Sequence, residues 1–268
     1  MFRTRHISVY DEAFFANQLE QSLQSARVAV RVIYQLFAPQ SVVDVGCGLG
    51  AWLRAFSEMG IDQICGIDGG YVNRQNLLIP QTKFIPKDLS RPFEIPGRYD
   101  LAVSLEVAEH LSRKAGARLV HELSQAAPLV IFSAAVPGQG GTHHINEQWP
   151  AYWRSLFAAE GFRLFDPIRP LIRDDSSVRW WYRQNLLLFA SPEGVSAHQR
   201  LGQEVATGEE MEWVYISLVK KPRDLRSILR NLPGIPWTWS QVKPWVRPKP
   251  HYIAEPTQLV RGGSNDDE

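Results

Sequence analysis

Along residues 11–37 the apolar positions Phe14, Phe15, Leu19, Leu23, Val28, Val32 and Leu36 recur at the spacing of one helix face, and Pro39 stops the pattern. An N-terminal helical segment is expected there. From residue 41 the pattern changes to short apolar runs at 41–45, 63–67, 83–85, 99–104 and 129–133, which predict strands. Between and after them, stretches at 49–59, 71–77, 107–111, 115–125 and 149–160 have helical character. Such alternation predicts an α/β fold with a mostly parallel sheet covered by helices on both faces. Two further runs, 162–165 and 185–190, have no full helix between them and predict a C-terminal antiparallel hairpin completing a seven-stranded sheet. The expected organisation is a helical segment at 1–40, a core at 41–192 and an extension at 193–268. That extension carries one amphipathic stretch at 209–220, then a tail rich in Pro and Trp, and an end at 261–268 with the composition of a disordered segment.

Composition narrows the functional classes. Lys and Arg number 29 against 28 Asp and Glu, so the net charge of +1 gives no general attraction to nucleic acid. Two cysteines, Cys47 and Cys65, cannot build a disulfide framework or a cysteine-rich zinc site, which suits a reducing compartment. The start runs into Asp11 and Glu12 without an apolar core, and no apolar run reaches the roughly 18 residues that span a bilayer, so a cytoplasmic location is expected. Charge is polarised only at 220–250, where Lys220, Lys221, Arg223, Arg226, Arg230, Lys243, Arg247 and Lys249 face Asp224 alone. This segment suits an anionic membrane surface or an acidic partner, or else wraps its own core or a second subunit of a homo-oligomer.

The segment Val42-Val43-Asp44-Val45-Gly46-Cys47-Gly48-Leu49-Gly50 joins a strand to an amphipathic helix through a glycine-rich turn. Glycines there let a ligand approach the backbone, and the helix N-terminus offers unpaired N–H groups. Gly46, Gly48 and Ala51 also fit a dinucleotide fingerprint, the mark of an oxidoreductase. Asp44, two residues before the first glycine, would repel a pyrophosphate and suits an ammonium, which favours a cofactor without phosphates.

These residues resemble motif I of the class I S-adenosylmethionine-dependent methyltransferases, and further segments match in order over roughly residues 30–190. Gly66-Ile67-Asp68 ends the second strand with an acid 22 positions after Gly46; Lys87-Asp88-Leu89 follows the third; Tyr99 to Leu111 resembles the fourth-strand motif. The resemblance implies S-adenosylmethionine as cofactor. It implies a turn made by Asp44, Gly46, Cys47 and Gly48, ribose hydroxyls on Asp68 beside Gly69, and adenine at Asp88 and the Leu89 backbone. The methionine part would lie beside Leu105 and Glu106.

A hydroxyl acceptor needs a group to take its proton, and histidine suits the task. The loop Pro137-Gly138-Gln139-Gly140-Gly141-Thr142-His143-His144-Ile145-Asn146-Glu147-Gln148-Trp149 follows the fifth strand, at the sheet edge where α/β proteins bind ligands. His143 or His144 is the expected base, with His110 as the second choice. Asn146 and Trp149 in this loop, and Trp181 and Arg183 in the insert 166–184, are expected to contact the acceptor, since aromatic faces beside guanidinium groups suit a sugar. Trp180, Trp181 and Tyr182 also read as the start of the last strand. A metal held by His143, His144 and Glu147 with Asp68 or Glu106 is weighed and not expected, because adjacent histidines seldom point to one centre. The expected activity is O-methylation of a small-molecule, sugar or glycolipid-precursor hydroxyl. Methylation of a protein or RNA, or a non-catalytic partner-binding module, are the alternatives.

Overall fold

A computed structural model describes residues 12–206, with side chains from residue 19 onward, all within the first of two units into which the chain divides, Met1–Ile228. The amphipathic stretch at 209–220, the basic segment at 220–250 and the end at 261–268 lie outside the described residues. In chain order the elements are α1 (Glu12–Phe37), β1 (Ser41–Val45), α2 (Ala51–Glu58), β2 (Gln63–Asp68), β3 (Phe84–Pro86), β4 (Leu101–Leu105) and α3 (Arg113–Ala126). They continue with β5 (Leu129–Ser133), α4 (Pro150–Ala159), β6 (Arg163–Phe165), α5 (Arg169–Ile172), α6 (Trp180–Asn185), β7 (Leu187–Ala190) and α7 (Pro192–Ala197).

The seven strands form one sheet in the order β3-β2-β1-β4-β5-β7-β6. β1 to β5 pair in parallel, and β7 runs antiparallel between β5 and β6. The strands are apolar on both faces because both faces are covered. Val42, Leu101, Val103 and Ile131 pack with Ala26, Ile33, Leu53 and Phe56 from α1 and α2. On the other face Val43, Val45, Ala102, Val130 and Phe132 pack with Leu119 and Leu123 of α3 and with Trp153 and Phe157 of α4. Thus α1 is laid on the sheet and covers it as α2 does. No helix among the described residues is long and apolar enough to cross a membrane.

From β1 the chain steps to β2 and β3 on one side, then returns to β4 and β5 on the other. The crevice opens at that reversal, outside the carboxyl ends of β1 and β4. Gly46 lies there with φ +84°, and a Cβ on it would come within 2.2 Å of the Val107 side chain.

Three local expectations are corrected. Residues 71–77 form no helix beyond a 3-10 turn at Arg74–Asn76, because the Asn73 side chain accepts from the Gln75 N–H and Leu78 N–H donates to the Leu49 carbonyl. The stretch 107–111 is likewise a 3-10 turn, Ala108–His110, since Ser112 caps a new helix by accepting from Ala115 N–H. Trp180, Trp181 and Tyr182 start α6 rather than the last strand, which turns Tyr182 inward against Trp52 with ring centroids 5.1 Å apart. Also unforeseen is α7, although Ser191 before Pro192 is a start signal: the Ser191 hydroxyl accepts from Gly194 N–H.

Replacing Gly46 with Ala should destabilise the protein by roughly 2–5 kcal/mol, from left-handed strain and the clash with Val107 together. Gly48→Ala, at φ +55° with no atom within 4 Å of the added carbon, should cost about 1 kcal/mol. Urea unfolding of the two variants checks the contrast; equal losses would contradict it.

Candidate active site

The turn after β1 is held by backbone first. Gly46 N–H and Cys47 N–H both donate to the Ile67 carbonyl, at 2.7 and 3.2 Å, fixing the turn to the end of β2. Asp68 finishes the closure: one oxygen accepts from Gly48 N–H at 2.6 Å, and the other from Gly69 N–H at 2.6 Å and from the Tyr71 hydroxyl at 2.5 Å. A cavity of about 290 Å³ opens beside this turn, lined by Asp44, Gly46, Cys47, Gly48, Trp52 and Leu105, with Leu19 and Ser22 of α1 and Tyr182 of α6 on its other wall. Ser22 and Tyr182 meet through their hydroxyls at 3.1 Å.

Two buried carboxylates define the electrostatics here. Burial, and then the nearby Asp68, push the Asp44 carboxyl up to about 8. Burial followed by the same carboxylates pushes the Cys47 thiol well up, so it stays a thiol. A phosphate has no cationic partner among the residues lining this cavity. A cationic ammonium would meet Asp44 in this lining, a sugar's hydroxyls would have Asp68 beside it if Tyr71 gave way, and the open space at Gly48 would let such a ligand reach the backbone. These residues therefore fit S-adenosylmethionine and do not fit a dinucleotide.

The other sequence candidates for this pocket are placed as follows. Leu105 lines it. Leu89 is buried in the core, while exposed Asp88 accepts from the Ser90 N–H and hydroxyl and pairs with Arg91 at 3.2 Å. Glu106 adopts the left-handed conformation, φ 56°, just after β4. Its oxygens accept from the Asn185 and Gln139 amides, both at 3.1 Å, in a network that continues from Asn185 to Gln184. Burial raises its pKa while Asn185, Ser133, Gln139 and His144 oppose the rise.

Next to Glu106 the loop after β5 folds back. Ile145 N–H and Asn146 N–H both donate to the Glu109 carbonyl, and the Asn146 amide donates to the Ala108 carbonyl. Asn146 is thus buried as a brace of the loop rather than open to an acceptor. Glu147 closes the loop: its carboxylate accepts from Gly138 N–H and Gly140 N–H, both at 2.9 Å, and meets His144 Nδ1 at 2.9 Å. An ionised carboxylate only accepts, so the hydrogen-bond network assigns the proton to Nδ1 and leaves the Nε2 lone pair free. The His110 ring stands edge-on to His144 with centroids 4.8 Å apart. Desolvation and then His144 hold the His110 pKa down, with the His143 backbone opposing. His143 is exposed and left-handed, φ 61°.

Sequence reasoning missed Glu109. Its carboxylate is fully buried and meets no side-chain donor, with the backbones of Glu109 and Ala135 as weak opposition to that burial. Burial, then the charge of Glu106, push it up to about 9. The signal available was its place beside His110 at the end of β4. Glu109, His110 and His144 each bring a ligand atom within 4.8 Å of the others. By contrast the set weighed from sequence is occupied elsewhere, Glu147 by the loop, Asp68 by the glycine turn and Glu106 by Asn185 and Gln139.

In the insert, Arg183 donates to the Arg173 carbonyl at 2.9 Å and the Arg179 guanidinium lies 4.9 Å from the Trp181 ring. Trp149 is half-buried at the start of α4.

A family described as a methyltransferase domain matches residues 23–167, more than half of the chain. The chain belongs to this family, within the class I S-adenosylmethionine-dependent methyltransferases, and S-adenosylmethionine is the cofactor of that class. No curated protein sequence matches it. Solved structures with a similar fold include LaPhzM, at 16% identity over 66% of this chain and 57% of that one, with a TM-score of 0.46. The chain therefore spans a little over half the length of LaPhzM. Magnesium protoporphyrin IX methyltransferase from Synechocystis PCC 6803 with bound SAH gives 16% identity over 66% and 87% of the two chains and a TM-score of 0.47. An O-methyltransferase family protein from Burkholderia thailandensis gives 14% over 68% and 60% and a TM-score of 0.49.

Removing the Glu147 carboxylate should loosen the loop before anything else. In Glu147→Ala the amides of Gly138 and Gly140 should exchange hydrogen about tenfold faster or more, while those of β4 and β5 stay protected. Unchanged exchange at both glycines would contradict the stapling role.

Proposed function

We propose that this protein transfers a methyl group from S-adenosylmethionine to a hydroxyl of a small molecule, of which a sugar or glycolipid precursor is the favoured class. The observation that carries this reading is the His144–Glu147 pair, 2.9 Å apart, in the loop that follows β5. When bound, the cofactor supplies an electrophilic methyl on a sulfonium, already activated for displacement. Asp44 and Gly46 to Gly48 hold the amino-acid end, and Asp68 takes the ribose hydroxyls in place of Tyr71. Asp88 and the Leu89 backbone are assigned to the adenine, beyond the end of β3. Leu105 and Glu106 flank the reacting end.

His144 then acts on the acceptor. As the acceptor oxygen takes the methyl, its proton passes to Nε2, and the Glu147 carboxylate stabilises the imidazolium that results. His110 packs on the ring and limits its rotation. His143 contributes its backbone to the turn rather than its ring. The exposed side chains of Ile145 and Tyr71 offer apolar surface, and Trp149, Trp181 and Arg183 are assigned to the acceptor.

The exchange at Asp68 gives a paired test. Asp68→Ala should weaken cofactor binding by about 1–3 kcal/mol, through loss of charge-assisted hydrogen bonds. Tyr71→Phe should tighten it several-fold, about 1 kcal/mol, by freeing the acceptor. Titration calorimetry with S-adenosylhomocysteine reads both, and weaker binding in both variants would make Tyr71 a cofactor contact instead.

For the activity itself, labelled S-adenosylmethionine and a panel of hydroxylated acceptors, sugars foremost, should reveal product. On the acceptor so found, His144→Ala should lower kcat roughly a hundredfold or more with cofactor affinity nearly unchanged. Full turnover in this variant would remove His144 from the chemistry.

A further inference from the structure

The Glu109 carboxylate meets no side-chain donor although no part of the residue reaches solvent, and the backbones of Glu109 and Ala135 favour its charge only in part. An ionised carboxylate in that position is costly unless a cation meets it. One ligand atom from each of the side chains of Glu109, His110 and His144 falls within 4.8 Å of the others.

From this we infer that Glu109, His110 and His144 hold a divalent first-row transition ion between the end of β4 and the loop after β5. Two imidazole nitrogens and one carboxylate oxygen are the donors such ions take, and zinc sites with three protein ligands leave a further position for water or a substrate oxygen. Ligands about 2.0–2.2 Å from one tetrahedral centre lie roughly 3.4 Å apart, so the present spread closes by little more than an ångström.

The surroundings are those of a metal ligand. His144 already gives Nδ1 to the Glu147 carboxylate, the outer partner that fixes a ligating imidazole and aims Nε2. Gly141 keeps the space at that nitrogen clear, since a Cβ at 141 would stand 2.2 Å from Nε2. Glu109 and His110 are neighbours in a 3-10 turn whose carbonyl at Glu109 is bonded by Ile145 and Asn146, so the segment after His144 is pinned to the other two donors.

The inference deepens the proposed function and rests on its siting of the acceptor at His144. With the ion bound, Nε2 would be a ligand and no longer the base: the acceptor hydroxyl would meet the metal instead of the ring and give its proton to solvent water as its oxygen takes the methyl. Acidification of a coordinated hydroxyl is then the ion's contribution, as for metal-bound water.

The test uses the full chain, stripped with chelator and titrated by calorimetry with Zn²⁺, and by visible absorption with Co²⁺ as the spectroscopic probe. One equivalent should bind with a dissociation constant of about 1 μM or tighter, raise Tm, and give a Co²⁺ spectrum of nitrogen ligation. His110→Ala and His144→Ala should each weaken Zn²⁺ binding tenfold or more while leaving S-adenosylhomocysteine affinity unchanged. Glu109→Gln should unfold at higher temperature than the stripped wild type and lose the Zn²⁺-dependent rise in Tm; if that variant does not fold, the two histidine variants decide. Absence of Zn²⁺ and Co²⁺ binding up to millimolar concentration, unaltered binding in both histidine variants, or equal affinity for Mg²⁺ would overturn the site. Failure of the function reads differently: Zn²⁺ binds as expected, yet no hydroxylated acceptor is methylated with or without it.

Discussion

The withdrawal of carboxylates from water at the carboxyl ends of β1, β2 and β4 is the constraint on which the site depends. Asp44, Asp68 and Glu109 are buried and Glu106 is half-buried. Each must be met by donors, a cation or a proton. Asp68 is met by two backbone N–H groups and Tyr71, and Glu106 by two side-chain amides. Asp44, raised from the ordinary 3.8 to about 8 mainly by burial and further by Asp68, is met by a proton at neutral pH. Its contribution to stability is complete below pH 4 and is lost as pH rises toward 8, until a bound ammonium replaces the proton.

The unequal treatment of these acids divides the site into two halves. On the side of α1, α2 and α6, Asp44 lines a cavity beside the glycine turn that Asp68 braces, where a cationic cofactor is the natural counter-charge. On the side of the loop after β5, Glu109 faces two imidazoles. Glu106 lies between the halves, in a left-handed conformation that a non-glycine residue holds only where its surroundings fix it. The Asn185 and Gln139 amides that fix it come from α6 and the loop, so the elements around the site meet at one carboxylate.

Much of this was legible in the sequence. The strands at 41–45 and 129–133 fall on β1 and β5 without displacement, because each run is bounded by turn residues, Pro39 and Gly46 for the first and Pro128 before the second. The glycine turn and Asp68 were legible because their chemistry is local. What was not legible lay in tertiary contacts. Nothing in the run from Trp180 to Tyr182 says that Tyr182 turns inward under Trp52, and aromatic residues favour strands in general. Asn146 reads as a polar loop residue open to a ligand, yet its amide is spent on the Ala108 carbonyl. Glu109 reads as part of a solvated turn, and only the loop laid across it removes it from water. The histidines are a similar case, since the His144 ring stands edge-on to that of His110, 34 positions earlier.

The cavity beside Gly46 to Gly48 is proposed to take the adenosyl cofactor, with Asp44 on its ammonium. This is tested most directly by titrating the protein with S-adenosylhomocysteine at pH 7 in two buffers of different ionisation enthalpy, with NAD as control. Binding of micromolar order, about −8 kcal/mol, is expected, with the release of close to one proton from Asp44, a release lost in Asp44→Asn. Binding of NAD instead, or no adenosyl binding by a folded protein, would contradict it.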